Sequence, residues 1–340
     1  MLNFRKLPKI ELHCHLDGSL RIATVRELGA AMGLALPSSL ESALVAPETC
    51  EDLADYIRRF DLPLEVMQHR EHLTRIAREL VEDFSADGII YGEVRFAPQL
   101  HTRRGLSLEE VVNAVHDGLR QGEGKTGVRT GLILCCLRHE PAARSLEIAR
   151  LAVANRGKVC ALDLAGDEAR YAGDVHAEAF ALAREAGLRR TVHAGEAAGA
   201  ASIEEALEVL GAERIGHGVR IEESARVVDT VRQRAIPLEV CPLSNVQTRA
   251  VDARSPHPIG RLLREGLRVT VSTDARTVSA TSVTQEFERL AQNLGWGLNE
   301  FWQCQRHAVE AAFVSPAFRA ELHARLDAAQ ASGKAGGASG

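Results

Sequence analysis

The sequence predicts an α/β fold, a (β/α)8 TIM barrel, on three observations. Eight short apolar runs alternate with amphipathic stretches along most of the chain, which is typical of parallel strands connected by helices. Eight such units are the number that closes a barrel. No GxGxxG motif follows the first run, whereas an open doubly wound sheet usually carries one there. We therefore favour the barrel and keep the open sheet as the alternative.

The predicted strands are spread over the first four fifths of the chain. They are Ile10–His15, Ile89–Phe96, Arg129–Leu137, Val159–Gly166, Arg189–Gly195, Arg214–Gly218, Ile236–Cys241 and Arg268–Thr273. The stretches between them include LTRIARELVEDF and SIEEALEVL, in which apolar residues recur at helical spacing.

Two regions exceed the simple strand–helix repeat. The stretch from Leu20 to about Phe60 has a helical pattern, and we expect it to cover the top of the barrel as a lid. The segment from Ser282 to about Leu326 predicts further C-terminal helices. We expect one barrel domain over residues 1–330. Residues 331–340 are small and polar in composition and predict a disordered tail.

The charge balance argues against nucleic acid or a membrane as a partner. The 340 residues carry 41 Lys and Arg against 46 Asp and Glu, a net charge of −5, with both signs mixed along the chain. Such a sequence lacks the basic patch that neutralises phosphates. No run approaches the roughly 20 apolar residues of a membrane span. We expect a cytoplasmic protein, and its oligomeric state is left open.

Histidine and aspartate side chains fall at the carboxyl ends of the predicted strands. His13 and His15 alternate on the first strand and so point the same way. His193 and His217 end the fifth and sixth strands, and Asp274 follows the eighth. Barrel active sites form at this end. Three imidazoles and a carboxylate make a zinc shell with room for water, so the sequence predicts a metal site.

The lysines favour one metal over two. Two-metal barrel hydrolases often bridge their ions with a carboxylated lysine from a strand in mid-barrel. The chain has five lysines, at positions 6, 9, 125, 158 and 334, and none ends a predicted strand. We therefore expect one zinc per chain. Zinc lowers the pKa of its water toward about 7, and Glu196, three residues after His193, is the expected acid partner. His217 is expected to orient the hydroxide or to move its proton.

These residues lie in motifs that resemble the adenosine deaminases from about Leu7 to about Leu326. The motifs are LPKIELHCHLDGS, LADYIRRFD, YGEVRFAP, LRHEP, LDLAGDE, HAGE, IGHG, CPLSN and STD. The resemblance implies that His13, His15, His193 and Asp274 hold zinc, with His15 also beside the substrate. It implies that Glu196 protonates ring nitrogen 1 of the purine and that His217 stands beside the attacking hydroxide.

The resemblance also implies roles in substrate binding. The backbone N–H of Gly166 would meet ring nitrogen 3, and Asp17 would bind the ribose. Leu53, Tyr56 and Phe60 would form the apolar lid over the substrate. Ser244 and Asn245 are expected to hold the turn after the seventh strand.

One position departs from the family pattern. Two adjacent aspartates usually follow the eighth strand, and the second hydrogen-bonds ring nitrogen 7. The second residue here is Ala275, whose methyl group makes no such bond. Water, Arg276 or Thr277 would then complete this part of the pocket.

We therefore expect zinc-dependent hydrolytic deamination of adenosine and 2′-deoxyadenosine to inosine and 2′-deoxyinosine. The alternative substrates are adenine, aminodeoxyfutalosine and N6-substituted AMP. Asp17 favours a free nucleoside, and the sequence shows no evident basic cluster for a phosphate, with Arg276 as the one candidate exception. An alternative of another class is a nucleoside-binding or growth-factor-like relative without catalysis. A barrel hydrolase of esters or phosphotriesters lacks its usual lysine here.

Overall fold

The computed structural model describes residues 3–336, and within them eight parallel strands form a barrel. The strands are β1 (Lys9–His15), β2 (Ile89–Phe96), β3 (Arg129–Leu137), β4 (Val159–Ala165), β5 (Arg189–Ala194), β6 (Arg214–His217), β7 (Leu238–Val240) and β8 (Val269–Val271). Each predicted strand coincides with an observed one. The last two are shorter than expected, so that Asp274 lies three residues beyond β8.

The strands pair in sequence order from β1 to β8, all in parallel. The ring is nearly closed by a bridge between Cys14 and Asp274. The backbone N–H of Asp274 donates to the carbonyl of His13 at 2.9 Å. The first strand and the segment after the last one therefore lie side by side at the top of the barrel.

Helices surround the barrel and connect its strands. They are α1 (Ile22–Ala31), α2 (Leu40–Leu44), α3 (Leu53–Ile57), α4 (Asp61–Val66), α5 (Arg70–Ala86), α6 (Leu108–Thr126), α7 (Ala142–Ala154), α8 (Ala177–Glu185), α9 (Ala200–Glu208), α10 (Ala225–Gln233), α11 (Pro242–Gln247), α12 (Ile259–Arg264), α13 (Val283–Leu294), α14 (Leu298–Ala311) and α15 (Pro316–Gly336). Helix α6 shows how local sequence sets the bounds. Ser107 and Glu110 form a capping box at its start, and Gly127 adopts a left-handed conformation at its end.

The two expected additions to the barrel are present. Helices α1, α2 and α3 fill the insertion between β1 and β2, and α13, α14 and α15 follow β8. Helix α15 continues to Gly336, so residues 331–336, expected in a disordered tail, are helical here. Residues 337–340 lie outside the described part of the chain.

The lower interior of the barrel holds a buried network of charges. Arg95 contacts Asp163 at 3.0 Å and Glu239 at 2.7 Å, and Arg214 contacts Glu93 and Glu239. Their side chains are almost completely buried. Since breaking a buried ion pair leaves an uncompensated charge, this network holds Asp163 and Glu239 rigidly beneath the carboxyl ends of the strands.

None of the helices within residues 3–336 is both long enough and apolar enough to span a membrane.

Candidate active site and metal centre

Four side chains predicted as metal ligands meet at the carboxyl end of the barrel. One ligand atom from each of His13, His15, His193 and Asp274 lies within 4.8 Å of the other three. The Nε2 atoms of His15 and His193 are 3.1 Å apart. Oδ1 of Asp274 lies 3.4 Å from Nε2 of His13 and 3.5 Å from Nε2 of His15. These residues can hold a metal ion.

Hydrogen bonds to the Nδ1 atoms of two of the histidines prepare the four-residue cluster to bind a cation. Nδ1 of His13 lies 2.8 Å from Glu239 Oε2, and Nδ1 of His193 lies 3.1 Å from Asp163 Oδ1. Carboxylates that bind the far nitrogen of a histidine fix its tautomer and aim Nε2 at a metal. Nε2 of His13 is buried and has no hydrogen-bond partner among the described residues, which is the state expected of a metal ligand.

Both supporting carboxylates are ionised. Burial favours the protonated form of each, but positive neighbours outweigh burial. His193 and Arg95 hold the pKa of Asp163 below its usual range. Arg95 and Arg214 do the same for Glu239. The two carboxylates therefore accept hydrogen bonds from the histidines and add negative charge beneath the cluster.

Two strand-end residues adopt a left-handed backbone conformation. His217 and Asp274 both have φ of 62°, which is unfavourable for residues other than glycine and is often found at functional sites. Ser244 donates to Oδ2 of Asp274 at 2.6 Å, and the amide of Asn245 lies 2.9 Å from Nδ1 of His217. Ser244 and Asn245, expected only to hold a turn, therefore also orient these two side chains.

Glu196 and His217 lie together beside the cluster. Oε2 of Glu196 is 3.5 Å from Nε2 of His217. Burial, reinforced by Asp274 and Glu168, raises the pKa of Glu196 well above its usual range. Burial, together with His13, lowers the pKa of His217 well below the usual range of histidine. Burial thus favours the protonated form of Glu196 and the neutral form of His217, so the pair offers a proton donor beside a neutral imidazole.

Glu168 holds the turn that carries Glu196. Its carboxylate accepts the backbone N–H groups of residues 195, 196, 197 and 198 at 2.6, 3.0, 2.7 and 2.9 Å. Sequence reasoning missed Glu168, Asp163 and Glu239. Asp163 and Glu239 could have been found from the sequence, because each is a charged residue inside an apolar strand, in LDLAG and LEVC. A buried charge needs a partner.

A cavity of about 380 Å³ opens over the cluster and brings together the other predicted site residues. Its lining includes all of them except His13: His15, Asp17, Leu53, Tyr56, Phe60, Gly166, His193, Glu196, His217 and Asp274. His13 lies directly beneath, fully buried. Gly166 has φ of +102°, a conformation that favours glycine.

The lid residues pack on the segment that follows β8. Tyr56 and Leu53 form an apolar cluster with Ala275 and Val278, and Phe60 packs against it. The Tyr56 hydroxyl lies 2.7 Å from Ser279 Oγ. This packing and this hydrogen bond hold helix α3 over the cavity.

The structure corrects two expectations about the residues after Asp274. Arg276 lies in a separate cavity, 3.2 Å from Asp87, and Thr277 donates to the carbonyl of Leu20 at 2.5 Å. Neither is among the described residues that line the active-site cavity. Ala275 packs against Gly18 and in the apolar cluster with Tyr56, and it is not among the described residues that line the cavity.

Known proteins share this sequence and this fold. The family profile described as adenosine deaminase matches residues 8–329. An adenosine deaminase of Clostridium acetobutylicum is 41% identical over 325 residues, 94% of this chain and 97% of that protein. One of Clostridium botulinum strain Hall is 42% identical over 321 residues, 93% and 96% of the two chains.

Two solved structures agree over nearly the whole chain. An adenine deaminase of Arthrobacter aurescens is 33% identical with a TM-score of 0.89 and covers 96% of this chain and 99% of its own. The N6-methyl-AMP deaminase of Arabidopsis thaliana is 27% identical with a TM-score of 0.85, covering 97% and 98%. On the strength of the family match and the identity to these relatives, this chain belongs to the adenosine deaminase family.

Proposed function

We propose that this protein hydrolyses adenosine and 2′-deoxyadenosine to inosine and 2′-deoxyinosine with release of ammonia. The observation that carries the proposal is the Glu196–His217 pair, 3.5 Å apart beside the four-residue cluster. Relatives that are 41% and 42% identical and are named adenosine deaminase support it. The reaction adds the oxygen of one water to carbon 6 of the purine and expels the amino group as ammonia.

His13, His15, His193 and Asp274 would hold one zinc ion. Three imidazole nitrogens and one carboxylate oxygen are ligands that zinc prefers in catalytic sites. When bound, zinc would supply a nucleophile by making hydroxide available from water near neutral pH. Within residues 3–336, Lys9 is the one lysine on a strand, and it lies at the start of β1 with Nζ 2.7 Å from the carbonyl of Phe4. This placement at the opposite end of the barrel supports one metal rather than a lysine-bridged pair.

Glu196 would act as the general acid. Its raised pKa favours the protonated carboxyl group, whose proton would pass to ring nitrogen 1. Protonation there makes carbon 6 more electrophilic at the moment water attacks. Positioned general acids typically contribute about 10²–10⁴ in rate. The four backbone N–H groups that donate to the Glu168 carboxylate hold the Glu196 backbone in place during this step.

His217 would orient the attacking water and accept its proton. The neutral imidazole presents Nε2 toward Glu196 and the cavity, and Asn245 fixes the ring through Nδ1. For Nε2 to act as the base, the ring proton would lie on Nδ1 and be donated to the amide oxygen of Asn245, with the amide group turned accordingly. Nε2 would then take a proton from water and deliver it to the departing amino group. The leaving group would then depart as neutral ammonia, and the proton that remains on the oxygen at carbon 6 would return to Glu196 as the carbonyl group of the product forms.

The remaining cavity residues would position the nucleoside. The Gly166 N–H would meet ring nitrogen 3. Asp17, whose buried Oδ1 has no hydrogen-bond partner in the described part of the chain, would bind the sugar. Water would be excluded from the top of the cavity by the lid residues Leu53, Tyr56 and Phe60. Asp17 would thereby favour a nucleoside over the free base adenine.

The cavity rim favours a nucleoside over a nucleotide. Among the described residues that line the cavity, Arg170 is the one arginine, and no lysine lines it. Arg170 is already paired with Asp167 at 3.0 Å and with Asp52 at 3.8 Å. A 5′-phosphate would have to displace these carboxylates, so N6-substituted AMP is a poorer fit than adenosine.

A panel of substrates tests the proposal. Loss of the 6-amino group would be followed by ultraviolet absorbance with adenosine, 2′-deoxyadenosine, adenine, aminodeoxyfutalosine and N6-methyl-AMP. We expect kcat/KM to be highest for adenosine and 2′-deoxyadenosine. Preference for adenine or for N6-methyl-AMP would overturn the assignment of substrate, and no turnover of any compound would support the non-catalytic alternative.

A further inference from the structure

Glu196 lies between two cavities. It lines the active-site cavity, and it also lines a side cavity of about 190 Å³ whose other residues include Ala197, Arg220 and Thr248. Thr248 is not among the described residues that line the active-site cavity. It therefore lies on the side of Glu196 that faces away from the substrate.

Thr248 belongs to the segment that positions two other residues of the site. Ser244 and Asn245, on helix α11, contact Asp274 and His217. Thr248 is the residue that ends this helix, and its backbone N–H donates to the carbonyl of Ser244 at 2.8 Å. Residues four apart on a helix lie on the same face. The side chain of Thr248 is therefore on the face of α11 that Ser244 presents to the site.

Two buried polar atoms at this place lack a partner. Oγ1 of Thr248 and Oε1 of Glu196 are buried, and neither has a well-formed hydrogen bond to any described residue. The Thr248 hydroxyl is nevertheless near enough to the Glu196 carboxyl to oppose the rise in pKa that burial causes. Because buried polar groups are nearly always hydrogen-bonded, a donor and an acceptor placed in this way are expected to pair.

The nearby backbone donors are committed to another residue. The N–H groups of residues 195–198 donate to the Glu168 carboxylate. The second carboxyl oxygen of Glu196, Oε2, lies 3.5 Å from Nε2 of His217. Within residues 3–336, Thr248 is thus the side chain placed to donate to Oε1.

We propose that Thr248 is a positioning residue for the general acid, because its hydroxyl donates to Oε1 of Glu196 and leaves the transferable proton on Oε2. This inference rests on the proposed role of Glu196. When the proton passes from Oε2 to ring nitrogen 1, negative charge develops on the carboxylate, and the Thr248 hydroxyl stabilises it. A hydrogen bond to an ionised group is about twice as strong as one between neutral groups. The contact therefore strengthens as the proton leaves and favours the transition state over the ground state.

The test removes the hydroxyl and then restores it. Thr248→Val keeps the shape of the side chain without the donor, and Thr248→Ser keeps the donor in a smaller side chain. We expect kcat with adenosine to fall about tenfold to a hundredfold in Thr248→Val, as for loss of a hydrogen bond to a charged group, while KM stays within about threefold. Thr248→Ser should keep kcat within about threefold of the wild type.

Thr230→Val is the control, since it removes a hydroxyl on α10 that donates to the carbonyl of Arg226. It should leave both kinetic constants unchanged. An unchanged kcat in Thr248→Val would overturn the inference. An equal loss of kcat in Thr248→Ser and Thr248→Val would also overturn it, because the hydroxyl would then not be the group that matters.

A double variant identifies the residue through which Thr248 acts. In Glu196→Gln no proton leaves the side chain, so no charge develops for Thr248 to stabilise. Adding Thr248→Val to Glu196→Gln should therefore change kcat by less than about threefold. A loss by the same factor in both backgrounds would overturn the inference and leave Glu196 in the acid role. Near-wild-type kcat in Glu196→Gln alone would instead overturn the proposed role of Glu196.

Discussion

Asp163 accepts a hydrogen bond from Nδ1 of His193 over 3.1 Å while its other oxygen contacts Arg95 at 3.0 Å. Asp163 thereby connects the buried charge network to the metal centre. Arg95 keeps Asp163 ionised, and Asp163 keeps Nε2 of His193 free for the cluster. The stability of the barrel interior and the affinity for metal should therefore depend on the same residue.

Asp163→Asn should weaken zinc binding about tenfold to a hundredfold, as loss of such a supporting group typically does. The amide lacks the charge that raises the basicity of His193, and it leaves Arg95 with one carboxylate fewer. Zinc affinity would be measured by competition with a chelator on folded protein. Asp174→Asn, at an exposed aspartate, is the matched control. Equal affinities in the two variants would mean that Asp163 does not support the metal.

Glu196→Gln should retain zinc and lose about 10²–10⁴ in kcat, the range typical of a general acid. Glutamine keeps the shape of the side chain but has no carboxyl proton to give to ring nitrogen 1. Steady-state rates with adenosine and the zinc content of the same sample would be measured together. The control is Glu185→Gln on the exposed face of α8. Near-wild-type turnover by Glu196→Gln would remove Glu196 from the acid role.

Ala275→Asp should lower the free energy of unfolding by about 3 kcal/mol, the order expected for an uncompensated buried charge. Ala275 is 0% exposed within an apolar cluster. Thermal unfolding of zinc-loaded protein would be compared with that of Ala280→Asp, since Ala280 is exposed and has φ of 48°, which aspartate tolerates. An unchanged midpoint for Ala275→Asp would show that its carboxylate reaches the cavity.

Stability should fall with rising pH because of Glu286 on α13. Burial, against the opposing effects of Thr281 and Arg289, raises its pKa from 4.5 to about 7. Between these values the unfolded chain loses this proton and the folded chain keeps it, so the free energy of unfolding falls as pH rises. The loss is up to about 3 kcal/mol and is complete above pH 7.

Glu286→Gln should remove this part of the pH dependence. Urea unfolding at pH 5 and pH 8 would be measured for the wild type, for Glu286→Gln and for Glu288→Gln, an exposed neighbour on the same helix. The drop from pH 5 to pH 8 should be smaller only in Glu286→Gln. The same drop in all three proteins would contradict the effect of burial on Glu286.

The sequence predicted the barrel and the residues at its upper end because both depend on regular patterns. Strands and helices differ in apolar periodicity, and parallel strands bring their carboxyl ends to one edge. This placed His13, His193 and Asp274 together although they are far apart in the chain. The bounds of β7 and β8 were less accurate, because the predicted runs extend beyond the residues that pair with the neighbouring strand.

The supporting contacts could not be predicted in the same way. Glu239 and His13 are 226 residues apart, and nothing local in LEVC indicates which histidine the glutamate meets. Ala275 illustrates the same limit. Its side chain follows a ligand in the sequence, but the packing of Tyr56 and Phe60 decides that it lies behind the lid and not in the cavity.

Titration of metal-free protein with zinc tests the central claim most directly, because it measures the metal requirement, the stoichiometry and the reaction together. Adenosine deamination would be followed as zinc is added in known equivalents per chain. We expect negligible activity without metal, a linear rise to one equivalent and a plateau beyond it. Full activity without metal, a break at two equivalents, or no deamination at any zinc level would contradict the mononuclear adenosine deaminase proposed here.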